Sequence, residues 1–341
     1  MNTSSHNDIA SHLEPVIITY NRSAQLSRTL KAFAESALKN VTFHVLDNAS
    51  TDDTHQVVVE MQQKLPNLVY HRNEYNIGGN SNILRAVELG NASYHWVIGD
   101  DDEWQITADK LDELVRILAQ GKADIVRLGW LVSDDSRHQL ELVSDLIIKE
   151  KMFFASVSMI SATIIRRSLV TSTLPKAYQN VNDSYPQLVA PICAVEQGQV
   201  FVYTMSQDFM THTPSQVPGY FCGDLEWPSG WYRTSRFFAN EQFKKAFVSE
   251  VGCYMTRDKP GMFSESIILT KILLYYKSFG LNQWPYLLSM LAYGSGRRWM
   301  VAYLIIVNAL SPTILLNKLR KLYFKIKKLP PKTIQVDRSR L

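Results

Sequence analysis

Cysteine is scarce in this chain. Its 341 residues hold three, Cys193, Cys222 and Cys253, with no Cys-x-x-Cys pair and no Cys/His ligand spacing. That excludes a disulfide framework and a structural zinc site, and it makes a reducing cytoplasm the expected compartment. Long apolar runs are missing too. The apolar stretch Trp299–Leu310 covers 12 residues and contains Asn308, whereas a bilayer span needs about 20. Met1–Glu14 is polar and lacks the apolar core of a signal peptide. No Gly-Lys-Ser/Thr follows Gly78-Gly79 and no Gly-x-Gly-x-x-Gly occurs, so the P-loop and dinucleotide-binding fingerprints are absent. There is no repeat of fixed period, and 46% hydrophobic with 20% charged residues excludes a disordered or low-complexity chain.

Acidic residues are almost missing from one region. Residues 266–341 hold 13 Lys/Arg against a single acid, Asp337, a net +12, whereas residues 1–265 hold 23 basic and 31 acidic residues, a net −8. The overall +4 therefore averages an acidic body and a basic tail, and the tail calls for an anionic partner.

From Glu14 to Val132, short β-rich apolar runs alternate with helical patterns. Strands are expected at Pro15–Thr19, Val41–Leu46, Leu68–His71, Tyr94–Ile98 and Asp124–Trp130. Helices are expected at Ser23–Leu38, Asp53–Leu65, Ser81–Leu89 and Thr107–Ala119. Such alternation means an α/β fold, a mostly parallel sheet flanked by helices. Residues 133–265 are less regular: a strand at Ile160–Arg166, a helix at Tyr185–Glu196, a strand at Val200–Thr204, and a Pro-, Gly- and Trp-rich stretch at 212–231. Beyond Ser266 the chain reads as helices. The expected organisation is a polar tail over 1–13, an α/β region over 14–265 made of a regular half (14–132) and a less regular half (133–265), and a helical basic region over 266–341.

In open α/β sheets, ligands bind beyond the carboxyl ends of the strands. The segments there are Thr19-Tyr20-Asn21-Arg22, then Asp47-Asn48-Ala49-Ser50-Thr51-Asp52-Asp53-Thr54, then Asn73 to Asn80 with Asn76 and Gly78-Gly79, and finally Gly99-Asp100-Asp101-Asp102. Three consecutive carboxylates in a concave site repel one another, and a hard divalent cation, Mg²⁺ or Mn²⁺, relieves that. The plainer reading is a solvated acidic turn. Gly78-Gly79 before a helix lets backbone approach a diphosphate at the helix N-terminus, or is a simple loop. Asp47 is suited to accept from a base or ribose, or to shape its own turn.

Taken together and in this order, TYNR, LDNASTDDT, NxGG and GDDD resemble the family 2 glycosyltransferases. WVIGDDD followed by SATIIRRS is most similar to the abequosyltransferase and O-antigen branch. The resemblance implies the GT-A fold, with 14–265 as catalytic domain (nucleotide-binding half 14–132, acceptor half 133–265), a nucleotide-diphosphate sugar donor, a divalent metal and inversion at the anomeric carbon. It also implies that Thr19, Asn21 and Arg22 line the nucleotide pocket and that Asp47 holds the base. Asn76 and Gly78 would lie by the diphosphate, Asp100 would face the ribose, and Asp102 with Asp101 would hold the metal. Two departures stand out: Asn48 replaces a second acid, and the usual D-x-D-D reads G-D-D-D, which leaves open which of Asp100, Asp101 and Asp102 meets the metal.

An inverting transfer needs one carboxylate base for the acceptor hydroxyl. Asp183, in Asn182-Asp183-Ser184-Tyr185-Pro186, is the expected base, with a helix cap as its plainer role and Glu196 and Asp224 in reserve. His212 is a weaker metal-side candidate. Tyr220, Phe221, Trp227, Trp231 and Tyr232 either stack on an acceptor sugar or pack a core.

In the tail, Ser311-Pro312 opens a helix in which Leu315, Leu319, Leu322, Ile326 and Leu329 share one face. Lys318, Lys321, Lys325 and Lys328 share another, and Pro330-Pro331 ends the run. A basic amphipathic helix over 313–329 fits an anionic membrane interface. No nucleic-acid motif accompanies it, and no nucleic acid is expected as partner. The expected function is a peripheral enzyme on the inner face of the cell membrane that glycosylates a lipid-linked oligosaccharide for bacterial surface polysaccharide (O-antigen, lipopolysaccharide or capsule). The alternatives are a sugar nucleotidyltransferase, for which TYNR is a poor match, and a non-catalytic membrane-bound scaffold of the same fold.

Overall fold

The computed structural model describes residues 12–104, 107–129, 131–132, 137–183, 185–205, 210–212, 226–256, 264–294 and 297–327. The chain forms two compact units, Met1–Ser215 and Gln216–Leu341.

The first unit is built on strands β1 (Leu13–Thr19), β2 (Phe43–Asp47), β3 (Leu68–Arg72), β4 (Tyr94–Gly99), β5 (Asp102–Trp104), β6 (Ile125–Arg127), β7 (Leu140–Leu142), β8 (Thr163–Arg166), β9 (Phe201–Thr204) and β10 (Met210–His212). Between them lie helices α1 (Ser23–Glu35), α2 (Thr54–Gln62), α3 (Gly79–Glu88), α4 (Ala108–Gln120), α5 (Val143–Lys149), α6 (Phe153–Ser158), α7 (Arg167–Tyr178) and α8 (Val189–Gln197). Eight strands form one sheet in the order β3-β2-β1-β4-β8-β6-β9-β7, and β5 pairs with β10 in a separate ribbon. The run β3-β2-β1-β4 is parallel. Strand β8 is antiparallel to both β4 and β6, and β9 is parallel to β6. Strands β6 and β9 therefore point the same way as β1–β4, and six carboxyl ends share one edge.

The central strands are continuous apolar runs because both sheet faces are covered. Ile17, Phe43, Val45, Trp96 and Ile98 pack with Leu26, Leu30 and Phe33 of α1, Val58 and Met61 of α2, and Leu111, Leu114 and Leu118 of α4. The opposite face buries Val16, Leu46 and Val97 with Ala86 of α3.

The less regular half differs most from its sequence reading. The expected strand 160–166 begins with a 3₁₀ turn at Ile160–Ala162 and becomes extended at Thr163. The expected helix 185–196 is a 3₁₀ turn at Pro186–Leu188 followed by α8. Helix α7 carries Pro175 within it, which hid it, because proline removes a backbone donor and usually ends a helix.

The second unit contains α9 (Glu226–Thr234), α10 (Glu241–Thr256), α11 (Ser264–Lys277), α12 (Trp284–Tyr293), α13 (Arg298–Leu310) and α14 (Thr313–Ile326). Its interior holds Trp231, Tyr232, Phe247, Leu273, Tyr276, Met290 and Leu304, with Glu265 paired to Arg297 at 2.8 Å. Among the described residues no single helix is long and apolar enough to cross a membrane. In α14 the half-buried side is Leu316, Asn317, Arg320 and Phe324, and the Arg320 guanidinium lies 3.4 Å from the Phe279 ring centre. The leucine face points outward: Leu315, Leu319, Leu322 and Ile326 are all more than half exposed.

Candidate active site

Parallel register levels the strand ends. Thr19 at the end of β1 pairs with Asp47 at the end of β2, and Asp47 with Arg72 at the end of β3, while Ile18 pairs with Gly99 at the end of β4. Four loops consequently leave the sheet side by side.

The loop after β4 is tied down by the segment after β1. Thr19 Oγ1 donates to Asp100 Oδ2 at 2.7 Å, and Arg22 spans two carboxylates, Nη1 to Asp100 Oδ1 at 2.8 Å and Nη2 to Asp101 Oδ2 at 2.9 Å. Thr29 of α1, itself buried, donates to the Asp100 carbonyl at 2.8 Å. Burial pushes the Asp100 carboxyl up from 3.8 to about 7, against the opposing pull of Arg22 and the Thr19 hydroxyl. Asp101 keeps its second oxygen. A Cβ built on Gly99 would stand 3.0 Å from Asp101 Oδ1 and 3.2 Å from Asp102 Oδ2. Two carboxylate oxygens thus converge over Gly99, and the absence of a side chain there leaves them the room. Asp102 itself is buried, and its backbone pairs with His212 across the β5–β10 ribbon.

The first two loops are locked together through Asn21, whose backbone is left-handed at φ 51°. Its N–H donates to Ser50 Oγ at 2.9 Å, and its Oδ1 accepts from the Thr51 N–H at 2.7 Å. Asp47 is fully buried and already engaged: Oδ1 accepts from the Ser50 N–H at 2.8 Å, and Oδ2 from the Tyr70 hydroxyl at 2.7 Å. Arg72 Nε lies 3.4 Å from the same Oδ2. Burial and the Asp47 charge both push the Tyr70 hydroxyl pKa upward.

The third loop is held by asparagines. Asn76 Oδ1 accepts from the Gly78 N–H at 2.8 Å and from Asn48 Nδ2 at 2.7 Å. Asn48 Oδ1 accepts from the Ile77 N–H at 3.0 Å and from Asn73 Nδ2 at 2.9 Å. This explains the missing acid at position 48. The two backbone donors fix both amide orientations, and only an amide can accept from Ile77 while donating to Asn76. Sequence reasoning missed Asn48 and Asn73 as organisers; the density of asparagines between 48 and 82 was the available signal. Gly78, at φ +84°, has open space where a side chain would be, and it precedes α3 with no side-chain cap. That leaves an anion-favouring helix end at the loop.

Asn80, in the first turn of α3, donates from Nδ2 to the Val181 and Asp183 carbonyls. This contact brings Asp183 beside the same helix end. The Asp183 N–H closes a turn on the Asn180 carbonyl at 2.9 Å, and the residue is 5% exposed. The plainer capping role does not hold, because Tyr185 sits at the cap of the 3₁₀ turn and α8 starts at Val189. Glu196 lies at the end of α8 just before β9, on the sheet edge opposite the four loops. Trp231 and Tyr232 are interior residues: the Trp231 ring stacks on Phe247 at 4.5 Å, and its Nε1 donates to the Phe247 carbonyl at 2.7 Å. For these two, core packing replaces the acceptor-stacking expectation. Tyr220, Phe221 and Asp224, and the side chains of His212 and Trp227, lie outside the described residues. Among the described residues no three His, Cys, Asp or Glu side chains are grouped as a metal cage.

The mixed eight-stranded sheet flanked by helices, with four loops gathered at its carboxyl edge, is the expected GT-A fold. The first 349 residues of TarS from S. aureus, crystallised with UDP-GlcNAc, superpose with a TM-score of 0.56 over 96% of this chain and 95% of that one. At 13% identity the likeness is one of fold. Residues 16–167, a little under half of the chain, match the glycosyl transferase family 2 model. Abequosyltransferase RfbV of Salmonella typhimurium is 34% identical over 90 residues, 25% of this chain and 27% of that protein. The GalNAc(5)-diNAcBac-PP-undecaprenol beta-1,3-glucosyltransferase of Campylobacter jejuni is 26% identical over 165 residues, 46% of this chain and 52% of that protein. The chain thus spans about a quarter and about half of these two relatives.

Proposed function

We propose that the protein transfers a sugar from a nucleotide-diphosphate donor to a lipid-linked oligosaccharide acceptor in bacterial surface polysaccharide assembly, with inversion in a single displacement. The observation that carries this is the meeting of the four loops: paired carboxylate oxygens over Gly99, the bare start of α3 at Gly78, and Asp183 tethered beside it by Asn80. The name of the Campylobacter jejuni relative, which carries a PP-undecaprenol acceptor, supports the acceptor class.

In this reading Asp47 and its neighbours border the base, Thr19, Asn21 and Arg22 shape the nucleotide pocket, and Asp100 faces the ribose. Asn76 and Gly78 present backbone N–H groups to the diphosphate. The all-oxygen donor set of Asp101 and Asp102 fits Mg²⁺ or Mn²⁺, which are usually held by one or two carboxylates plus substrate phosphates. When bound, such an ion neutralises charge on the departing nucleoside diphosphate. Asp183 takes the proton of the acceptor hydroxyl as its oxygen attacks the anomeric carbon, and the bond to the diphosphate breaks on the opposite side. The basic α14 attaches the enzyme peripherally to the inner face of the membrane, where lipid-linked acceptors present their sugars.

A thermal-shift screen of UDP-, CDP-, GDP- and dTDP-sugars with Mn²⁺ names the donor, and transfer to lipid-linked acceptors is then assayed with the donor that binds. Donor binding without turnover on any lipid-linked glycan would sink the transferase reading in favour of a non-catalytic scaffold.

A further inference from the structure

On α13, Trp299, Tyr303, Ile306 and Leu310 are 57%, 43%, 56% and 76% exposed. Their spacing of four, three and four residues puts them on one side of the helix. Met300, Val301, Leu304 and Asn308 on the other side are buried within the helical unit. After Ser311-Pro312 the axis turns by 85° into α14. The same spacing recurs there in Leu315, Leu319, Leu322 and Ile326, which are 52%, 52%, 53% and 69% exposed. Two successive helices thus turn large apolar side chains outward.

Charge decides what covers them. Between Glu265 and Asp337 the sequence contains no acid, while Lys318, Lys321, Lys325 and Lys327 accompany the α14 stripe and are exposed. A second copy of this surface would repel the first. An anionic bilayer answers both features, since it takes apolar side chains below its headgroups and lysines at their level. Trp299 and Tyr303 are residue types favoured at that depth. Helix α13, with 13 residues, is about 20 Å long, short of the roughly 30 Å hydrocarbon core.

We propose that α13 and α14 form an L-shaped, non-spanning foot, in which the uncharged stripe of α13 penetrates the headgroup–acyl boundary while the leucine–lysine surface of α14 lies along it. This rests on the membrane reading above and extends it: insertion of α13, rather than lysine electrostatics alone, holds the protein down.

The test uses the full chain with phosphatidylcholine vesicles containing roughly 30% phosphatidylglycerol as the anionic surface. Wild type co-sediments and stays bound when salt screens the lysines, and vesicles with brominated acyl chains quench a fraction of its tryptophan fluorescence that Trp299→Phe abolishes. The double variant Trp299→Ser/Ile306→Ser, checked by its unchanged thermal melt, loses at least about tenfold in partitioning. Unchanged partitioning of that variant would overturn the α13 foot and leave attachment through α14 standing. Failure of wild type to bind anionic vesicles overturns both. Concentration-dependent dimers that the double variant dissolves, with no vesicle binding, would assign the stripe to a second copy and overturn the foot.

Discussion

The two units break the rule of apolar inside and polar outside in opposite ways. In the sheet unit the polar groups go inward: Thr19, Asp47, Asn48, Asn73, Asp100, Asp102 and Asp183 are all at most 5% exposed. In the helical unit the apolar groups come outward along α13 and α14. Each departure costs stability, and each lies where a ligand or a surface would repay it. The comparison teaches that the sheet unit concentrates its cost in hydrogen-bonded carboxylates at one edge, and the helical unit spreads its cost over an exposed face.

The sharpest way to break this contrast is to remove the inward carboxylates. Asp183→Asn keeps the shape and removes the proposed base, and turnover should fall by about 10²–10⁴ with donor binding retained. Asp102→Ala should also abolish transfer, and restoring it with excess Mn²⁺ should fail. Steady-state kinetics beside a donor-binding assay check both. Full activity of either variant would remove that residue from the site.

A smaller effect separates burial from function at Asp100. Its carboxyl is raised from 3.8 to about 7 in the folded protein, so between these values the folded chain holds a proton that the unfolded chain has lost. Stability should therefore decline as pH rises from about 4 to 7 and level off above. Asp100→Asn cannot ionise. Its advantage over wild type should be absent near pH 4 and reach about 2–4 kcal/mol at pH 8, while its activity is lost. Denaturant melts at the two pH values measure this, and a pH-independent difference would contradict the buried-carboxyl account.

Asn48→Asp tests the amide network. An ionised carboxylate would face the acceptor Asn76 Oδ1 and lose the 2.7 Å donation. The cost should be about 1–3 kcal/mol of unfolding free energy in a denaturant melt, and donor binding should weaken if the Gly78 loop holds the diphosphate as proposed.

Much of the sheet unit was legible because its strands are apolar runs separated by helical patterns, from Pro15–Thr19 to Tyr94–Ile98. The loop order then exposed Thr19, Asn21, Arg22, Asp47 and the Asp100–Asp102 run, which register brings together. What was not legible depends on contacts distant in sequence. Asn48 looked like a departure until its partners at 73, 76 and 77 were known. Helix α7 was hidden by Pro175. Trp231, with Gly and Pro beside it, read equally as a sugar platform or as core, and the Phe247 ring, 16 residues further along the chain, shows it to be core.

The smallest expected effect bears on the helical unit, and there smallness is itself the result. Leu30 of α1 is fully buried, and Leu30→Ala should cost about 2–5 kcal/mol. Leu319 and Leu322 are the same residue type at 52% and 53% exposure, and Leu319→Ser/Leu322→Ser should change the denaturation midpoint by less than about 0.5 kcal/mol. If α14 lies on a membrane as proposed, the same pair should weaken vesicle binding severalfold, because the side chains would then contribute to that contact and not to the protein's own core. A large loss of stability in this variant would mean that the leucines are core residues, and the contrast between the two units would collapse.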